Sequence, residues 1–199
     1  TMSLQEQQQT SASLAQDVEN NGVNKNTDNG LEQELDTETI TQPIESFEDL
    51  SSHGISDSIL RGIFGYGFEH PSPIQARSII PILTGKDIIA QAQSGMGKTG
   101  AFVIGTLGRI NENEDSTQAI ILAHTRELAL QINAVFKQLS HYTKIRTCLC
   151  VNGINVSENM NNIMGKGLKK GRPHILIGTP GRINDMLNRK DYLTNDYIV

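Results

Sequence analysis

Ala92-Gln93-Ser94-Gly95-Met96-Gly97-Lys98-Thr99 stands between a short apolar run, Asp87-Ile88-Ile89-Ala90, and a stretch with helical periodicity. Small residues at 94, 95 and 97 keep side chains off the backbone, so successive N–H groups can curl around a phosphate chain. Lys98 then reaches the β- and γ-phosphates of a nucleotide, and the Thr99 hydroxyl reaches a magnesium ion. The helix that opens here adds the positive end of its dipole at the same spot. The strict pattern has Gly where this chain has Ala92. Alanine is the smallest substitute, and the Gly-Met-Gly-Lys-Thr core is intact. A plain glycine-rich strand–helix turn is the competing reading of the same letters.

Outward from this loop, helix and strand patterns alternate from Phe47 onward. Ser56 can cap a helix carrying Ile59, Leu60, Ile63 and Phe64 at helical spacing, closed by Gly65 and Gly67. A second helix starts at Pro73 and is kinked near its end by Pro81. Asp87–Ala90 reads as the strand that feeds the loop, and the helix after Lys98 runs to about Asn111. Then come the strand Ala119–Ala123, a helix over Arg126–Leu139 and the strand Thr147–Val151. A helix around Val156–Gly165, the strand His174–Gly178 and a helix from Pro180 to Leu187 complete the series. Ile120-Ile121-Leu122 and Ile175-Leu176-Ile177 are continuous apolar runs, as a parallel sheet covered on both faces requires. The order predicts a doubly wound α/β domain over 47–199.

Charge divides the chain differently. Residues 1–46 hold nine acidic groups against Lys25 alone, a balance of −8, whereas residues 47–199 hold sixteen basic against thirteen acidic groups. The tail has no aromatic residue and few aliphatics, so it cannot offset its ordering entropy and is expected to be disordered. The surplus of three on the body permits contact with nucleic acid without arguing for it. No stretch reaches the roughly 18 apolar residues of a membrane span, and no signal-peptide pattern is present. Cys148 and Cys150 would share one face of a strand as small buried groups, which suits a reducing compartment, cytoplasm or nucleus. The five histidines show no metal-ligand spacing.

Ligands of such sheets bind at the carboxyl ends of the strands, and the remaining polar motifs fall there. His124-Thr125-Arg126-Glu127 opens one helix, Asn152-Gly153 follows the third strand, and Thr179-Pro180-Gly181-Arg182 opens another helix. A Thr hydroxyl, an Arg and free N–H groups at a helix start suit a phosphodiester backbone, although each segment also reads as an ordinary capped helix. Upstream, Gln75 offers a side-by-side donor and acceptor that match the N6/N7 edge of adenine. Phe47 or Phe68 could stack on a base or pack near it. The Lys166–Arg172 run reads as a solvated turn before it reads as an RNA contact.

These segments together resemble the DEAD-box RNA helicases, and within them the initiation factor 4A subgroup. Gly67–Gln75, with Phe47 upstream and Pro73 inside it, resembles the Q motif. Ala92–Thr99 resembles motif I, where alanine at the first position is usual. Thr125–Ala129 is similar to motif Ia, with His124 where Pro is commoner. Asn152-Gly153 stands where the family tends to have Gly-Gly, and Thr179–Arg182 resembles motif Ib. His124 and Met96 are also reminiscent of the mRNA-export branch.

The resemblance implies a RecA-like fold and an ATP- and Mg²⁺-dependent RNA helicase. Gln75 would select adenine, with Phe47, Phe68 and Pro73 beside it. Gln93, Ser94, Gly95, Met96, Gly97, Lys98 and Thr99 would hold the nucleotide, Lys98 and Thr99 serving catalysis. Thr125, Arg126, Glu127, Gly153, Thr179, Pro180, Gly181 and Arg182 would grip the RNA backbone without reading bases. A monomer, with a scaffold protein of a translation or RNA-processing complex as partner, is the implied setting. Asp-Glu-Ala-Asp is expected shortly after Tyr197-Ile198-Val199. The 199 residues alone are expected to bind nucleotide weakly without hydrolysing it. A non-hydrolysing decoy that binds RNA or a partner is the alternative.

Overall fold

The computed structural model describes residues 42–167 and 171–188. The expected disorder of the tail therefore falls, through residue 41, outside the described residues. So does the Leu168–Lys170 part of the basic turn. Gln42–Ser46, assigned to the tail on composition, belong to the folded body. Ile44 is 6% exposed, and its N–H donates to the Ala76 carbonyl at 3.1 Å. One apolar residue with a backbone partner outweighs the local polarity.

Phe47–His53 forms a 3-10 turn capped by Ser46, with Phe47 and Leu50 fully buried. It is additional to the elements that periodicity predicts. The helices follow as α1 (Asp57–Gly65), α2 (Pro73–Leu83) and α3 (Lys98–Arg109). After them β1 (Ala119–Leu122), α4 (Arg126–Leu139), β2 (Thr147–Cys150), α5 (Val156–Ile163), β3 (Ile175–Gly178) and α6 (Pro180–Asn188) alternate. Ser56 accepts from the Ile59 N–H to cap α1, and Thr125 accepts from the Leu128 N–H to cap α4. Both are caps that the residue types anticipate.

The sheet is parallel, in the order β1-β3-β2. Ile120, Leu176 and Cys148 lie in one register row, and Ile121, Ile177 and Leu149 in the next. Alternation sends these rows to opposite faces. Ile175 and Ile177 meet the large core built with Ile63, Ile79, Ile104, Leu107 and Phe136. Leu176, Cys148 and Cys150 meet a smaller core of Met160, Ile163, Ile183 and Met186 from α5 and α6. Helices thus cover both faces of the central strand β3, and the doubly wound parallel fold is present.

Asp87–Ala90 is the exception. It joins no sheet, and Ile89 is fully exposed with Leu122 at 58%. An isoleucine-rich run becomes a strand only when a neighbour pairs its N–H and C=O groups, and none of the described strands pairs with it. The two cysteines are free and buried with sulfurs 4.0 Å apart. Among the described residues no helix is long and apolar enough to cross a membrane.

Candidate nucleotide site and nucleic-acid face

The phosphate loop is bent by Gly95 and Gly97, at φ +81° and +88°, a conformation that glycine adopts without penalty. Gly97 is the N-cap of α3 and provides no side-chain cap. The first N–H groups of that helix are therefore left to whatever the loop encloses. Lys98 folds back, its Nζ donating to the carbonyls of Ala92 and Gln93, the latter at 2.7 Å. Thr99, half-buried in the first turn, follows directly. Uncapped N–H groups, an ammonium and a hydroxyl fit a magnesium nucleotide: anion donors, a point charge and a hard oxygen ligand.

Gln75 is 2% exposed, and both ends of its amide are engaged. Its Oε1 accepts from the Ser72 N–H at 2.9 Å, and its Nε2 donates to the Gly97 carbonyl at 3.2 Å. Ser72 adds a hydroxyl bond to the Met96 carbonyl at 2.9 Å. The start of α2 is thereby tied to the phosphate loop. A Cβ on Gly97 or Gly100 would lie 2.7 or 2.6 Å from Gln75 Nε2, so both positions must be bare. The base-edge role that the amide chemistry of Gln75 suggests leaves this tie out. Ser72-x-x-Gln75, a capping-box spacing, was the available signal.

Phe47 and Phe68 stack with centroids 5.9 Å apart, and Tyr66 packs in a T-shaped arrangement with Phe68, centroids 4.8 Å apart. Phe47 is wholly buried, whereas Phe68 is partly exposed and packs on α3 beside Gly100. Pro73 is the first residue of α2, where its lost N–H costs nothing.

At the carboxyl ends of the strands three turns converge. The Ala123 N–H donates to the Gly178 carbonyl at 2.9 Å, and the Thr179 N–H to the Cys150 carbonyl at 3.2 Å. Exposed Arg126 donates through Nη1 to the Asn152 carbonyl at 2.8 Å. Thr125, Glu127, Gly153, Pro180 and Gly181 are exposed, with Thr179 half-buried. Arg182 differs: it is 9% exposed and donates to the carbonyls of Val151 and Ile154.

A further cluster has no signature in the sequence. Arg146 pairs with Asp115 at 2.6 Å, and buried His174 accepts the Arg146 N–H on Nδ1 at 3.0 Å. Burial, aided by the nearby Arg146 charge, pushes the His174 pKa below its ordinary value. In the second core a Cys150 thiol bond to Cys148 lowers the Cys148 pKa, and the same bond, with burial, raises that of Cys150.

A parallel α/β sheet with a phosphate loop opening a helix defines a nucleotide-binding domain of the phosphate-loop class. The family model for DEAD/DEAH box helicase matches residues 72–199, and the chain belongs to that family. It is 44% identical over 161 residues to the ATP-dependent RNA helicase eIF4A of Yarrowia lipolytica, covering 79% of this chain and 38% of that protein. To the eukaryotic initiation factor 4A of Drosophila melanogaster it is 46% identical over 154 residues, 77% of this chain and 36% of that one. Among solved structures, a DEAD box protein from the hyperthermophile Methanococcus jannaschii aligns with TM-score 0.66 and 34% identity. That match covers 78% of this chain and 40% of the other. S. cerevisiae Dbp5 bound to RNA and ADP BeF3 aligns with TM-score 0.59 and 34% identity, over 72% and 35%. The chain spans less than two fifths of the length of these two initiation factor 4A relatives.

Proposed function

We propose that the chain is the nucleotide-binding front part of an ATP-dependent RNA helicase that couples ATP binding and hydrolysis to local RNA strand separation. The observation that carries this reading is the uncapped start of α3 behind the Ala92–Thr99 loop, with Lys98 and Thr99 in its first turn. Lys98 exchanges the carbonyls of Ala92 and Gln93 for phosphate oxygens, which as charged acceptors bind an ammonium more strongly. Thr99 provides an oxygen to Mg²⁺. Phe68 and Gln75 stand at the adenine side, and Gln75 relays the state of the loop to α2 through its bond to Gly97.

RNA lies across the three converging turns. Thr125, Arg126, Gly153, Thr179 and Gly181 meet sugar and phosphate, while Glu127 and Pro180 shape the two helix starts. Backbone contacts of this kind carry no base sequence. The relatives named initiation factor 4A support a role in translation initiation; on this reading the protein works in the cytoplasm, beside a scaffold protein. On this reading the 199 residues alone bind nucleotide weakly and do not hydrolyse it, because positioning and charge stabilisation by metal carboxylates and an arginine finger supply most of phosphoryl-transfer catalysis.

The test is ATP hydrolysis by the full-length protein with and without single-stranded RNAs of unrelated sequence. Equal stimulation by each RNA is expected, and hydrolysis indifferent to RNA overturns the helicase reading. Competition of ATP and GTP for a bound fluorescent nucleotide checks Gln75; equal competition removes its adenine role.

A further inference from the structure

Arg126 and Arg182 occupy equivalent places in the sequence, each in the first turn of a helix at the carboxyl end of a strand. The structure gives them different work. Arg126 is exposed and places one donor on the Asn152 carbonyl. The rest of its guanidinium has no partner among the described residues. Arg182 is 9% exposed and commits its fork to the back of the same turn. Its Nε and Nη2 donate to the Val151 carbonyl at 3.3 and 3.2 Å, Nη2 also donates to the Ile154 carbonyl, and Nη1 lies 4.0 Å from the Asp185 carboxylate.

The Val151–Ile154 turn needs such a brace. Its own closing bond, from the Ile154 N–H to the Val151 carbonyl, is long at 3.4 Å. Two carbonyl oxygens converge on one side of it, and the planar guanidinium puts two nitrogens on Val151 and one of them on Ile154 as well, a pattern that the shorter arm and single nitrogen of a lysine do not reproduce. Gly153 at the tip has φ +90°, and a Cβ there would lie 2.2 Å from Arg126 Nη1. The tip is thus held from behind by Arg182 and closely overlaid by Arg126.

We propose that Arg182 is a positioning residue, which fixes the Val151–Ile154 turn so that Asn152-Gly153 lines up with Thr179–Gly181 as one RNA-binding surface. Arg126 makes the direct phosphate contact. The inference rests on the RNA reading above and adds that one of the two sequence-equivalent arginines never touches RNA.

The experiment measures single-stranded RNA affinity of the full-length protein, with a non-hydrolysable ATP analogue, across a potassium chloride series. Arg126→Gln is expected to weaken binding and to reduce the slope of log K against log salt by about 0.7, one phosphate contact on a single strand. Arg182→Lys keeps the charge, yet it is expected to weaken RNA binding about tenfold with the slope and the ATP affinity unchanged. A tenfold loss is about 1.4 kcal/mol. Paired with Gly153→Ala, the Arg182→Lys loss should be strongly less than additive, since both act on one turn. Wild-type RNA affinity in Arg182→Lys, or a slope reduced as in Arg126→Gln when Arg182→Gln is measured, overturns the assignment. If Arg182→Gln does not fold, the lysine variant decides alone. A wild-type protein that binds ATP but not RNA would sink the RNA reading itself, and this inference with it.

Discussion

The two ends of the candidate site are built on opposite plans. At the phosphate loop, residues 86–93 make no ladder bonds, and the loop is held by Ser72, Gln75 and the folded-back Lys98. At the strand ends, the turns after β1, β2 and β3 are held by sheet bonds and by a buried arginine. A loop whose polar groups rest on a few side chains can exchange those partners for phosphate at little cost. A face that must match a regular backbone gains from being set beforehand, because ordering it during binding would subtract from affinity. The difference suits one end to respond and the other to grip.

The sharpest way to break this contrast is Lys98→Ala in the full-length protein. ATP hydrolysis should fall by about 10² or more, the usual loss when one preorganised charge is removed from a reacting group. Melting should hardly change, because Nζ rests only on carbonyls of its own loop. Retained turnover would reassign the loop. Gly153→Ala probes the rigid end: an alanine in the left-handed region costs about 1–2 kcal/mol, and Arg126 must move aside. RNA affinity should fall about tenfold with ATP affinity unchanged; parallel losses in both would show that the two ends are not separate.

Gln75→Ala sharpens the other side. It strips the amide from the Ser72 N–H and the Gly97 carbonyl, and a hydrogen bond of this kind contributes about 1 kcal/mol. ATP should bind several-fold more weakly in a nucleotide titration, while RNA affinity without nucleotide stays the same. The smallest effect concerns neither end. His174, neutral in the fold with Nδ1 accepting and a lowered pKa, binds its proton more readily when unfolded. Its contribution to stability is fully present above the unfolded value of about 6.5 and is lost as pH falls towards the folded one. Denaturant unfolding from pH 7.5 to 5.5 should show that loss, and His174→Gln should flatten it.

Legibility followed the range of the interactions. Helix α4 begins and ends where the sequence analysis places it, because Thr125 is a local cap and Ile132, Phe136 and Leu139 repeat at helical spacing. Asp87–Ala90 misleads, since its apolar letters promise a strand and only a pairing neighbour makes one. The 3-10 turn at Phe47 was hidden because its stability comes from burying Phe47 and Leu50 in a core assembled by distant helices. Arg126 and Arg182 look alike in a string, as burial cannot be read from a residue's own neighbours.

The sequence by itself determined the order of the helices α1–α6 and the strands β1–β3, the phosphate loop, the family and the set of residues at the strand ends, all consequences of local period, capping and spacing. Only the tertiary structure decided what those residues touch. Gln75 serves the loop, Phe47 serves the core, and Arg182 stands behind the surface that Arg126 faces. The Gln75 and Arg182 assignments depend on contacts across 22 to 31 residues of chain, and that of Phe47 on a core gathered from still more distant helices. No periodicity encodes such contacts, because they are set by how the helices pack on the sheet and by which polar groups that packing leaves to be paired.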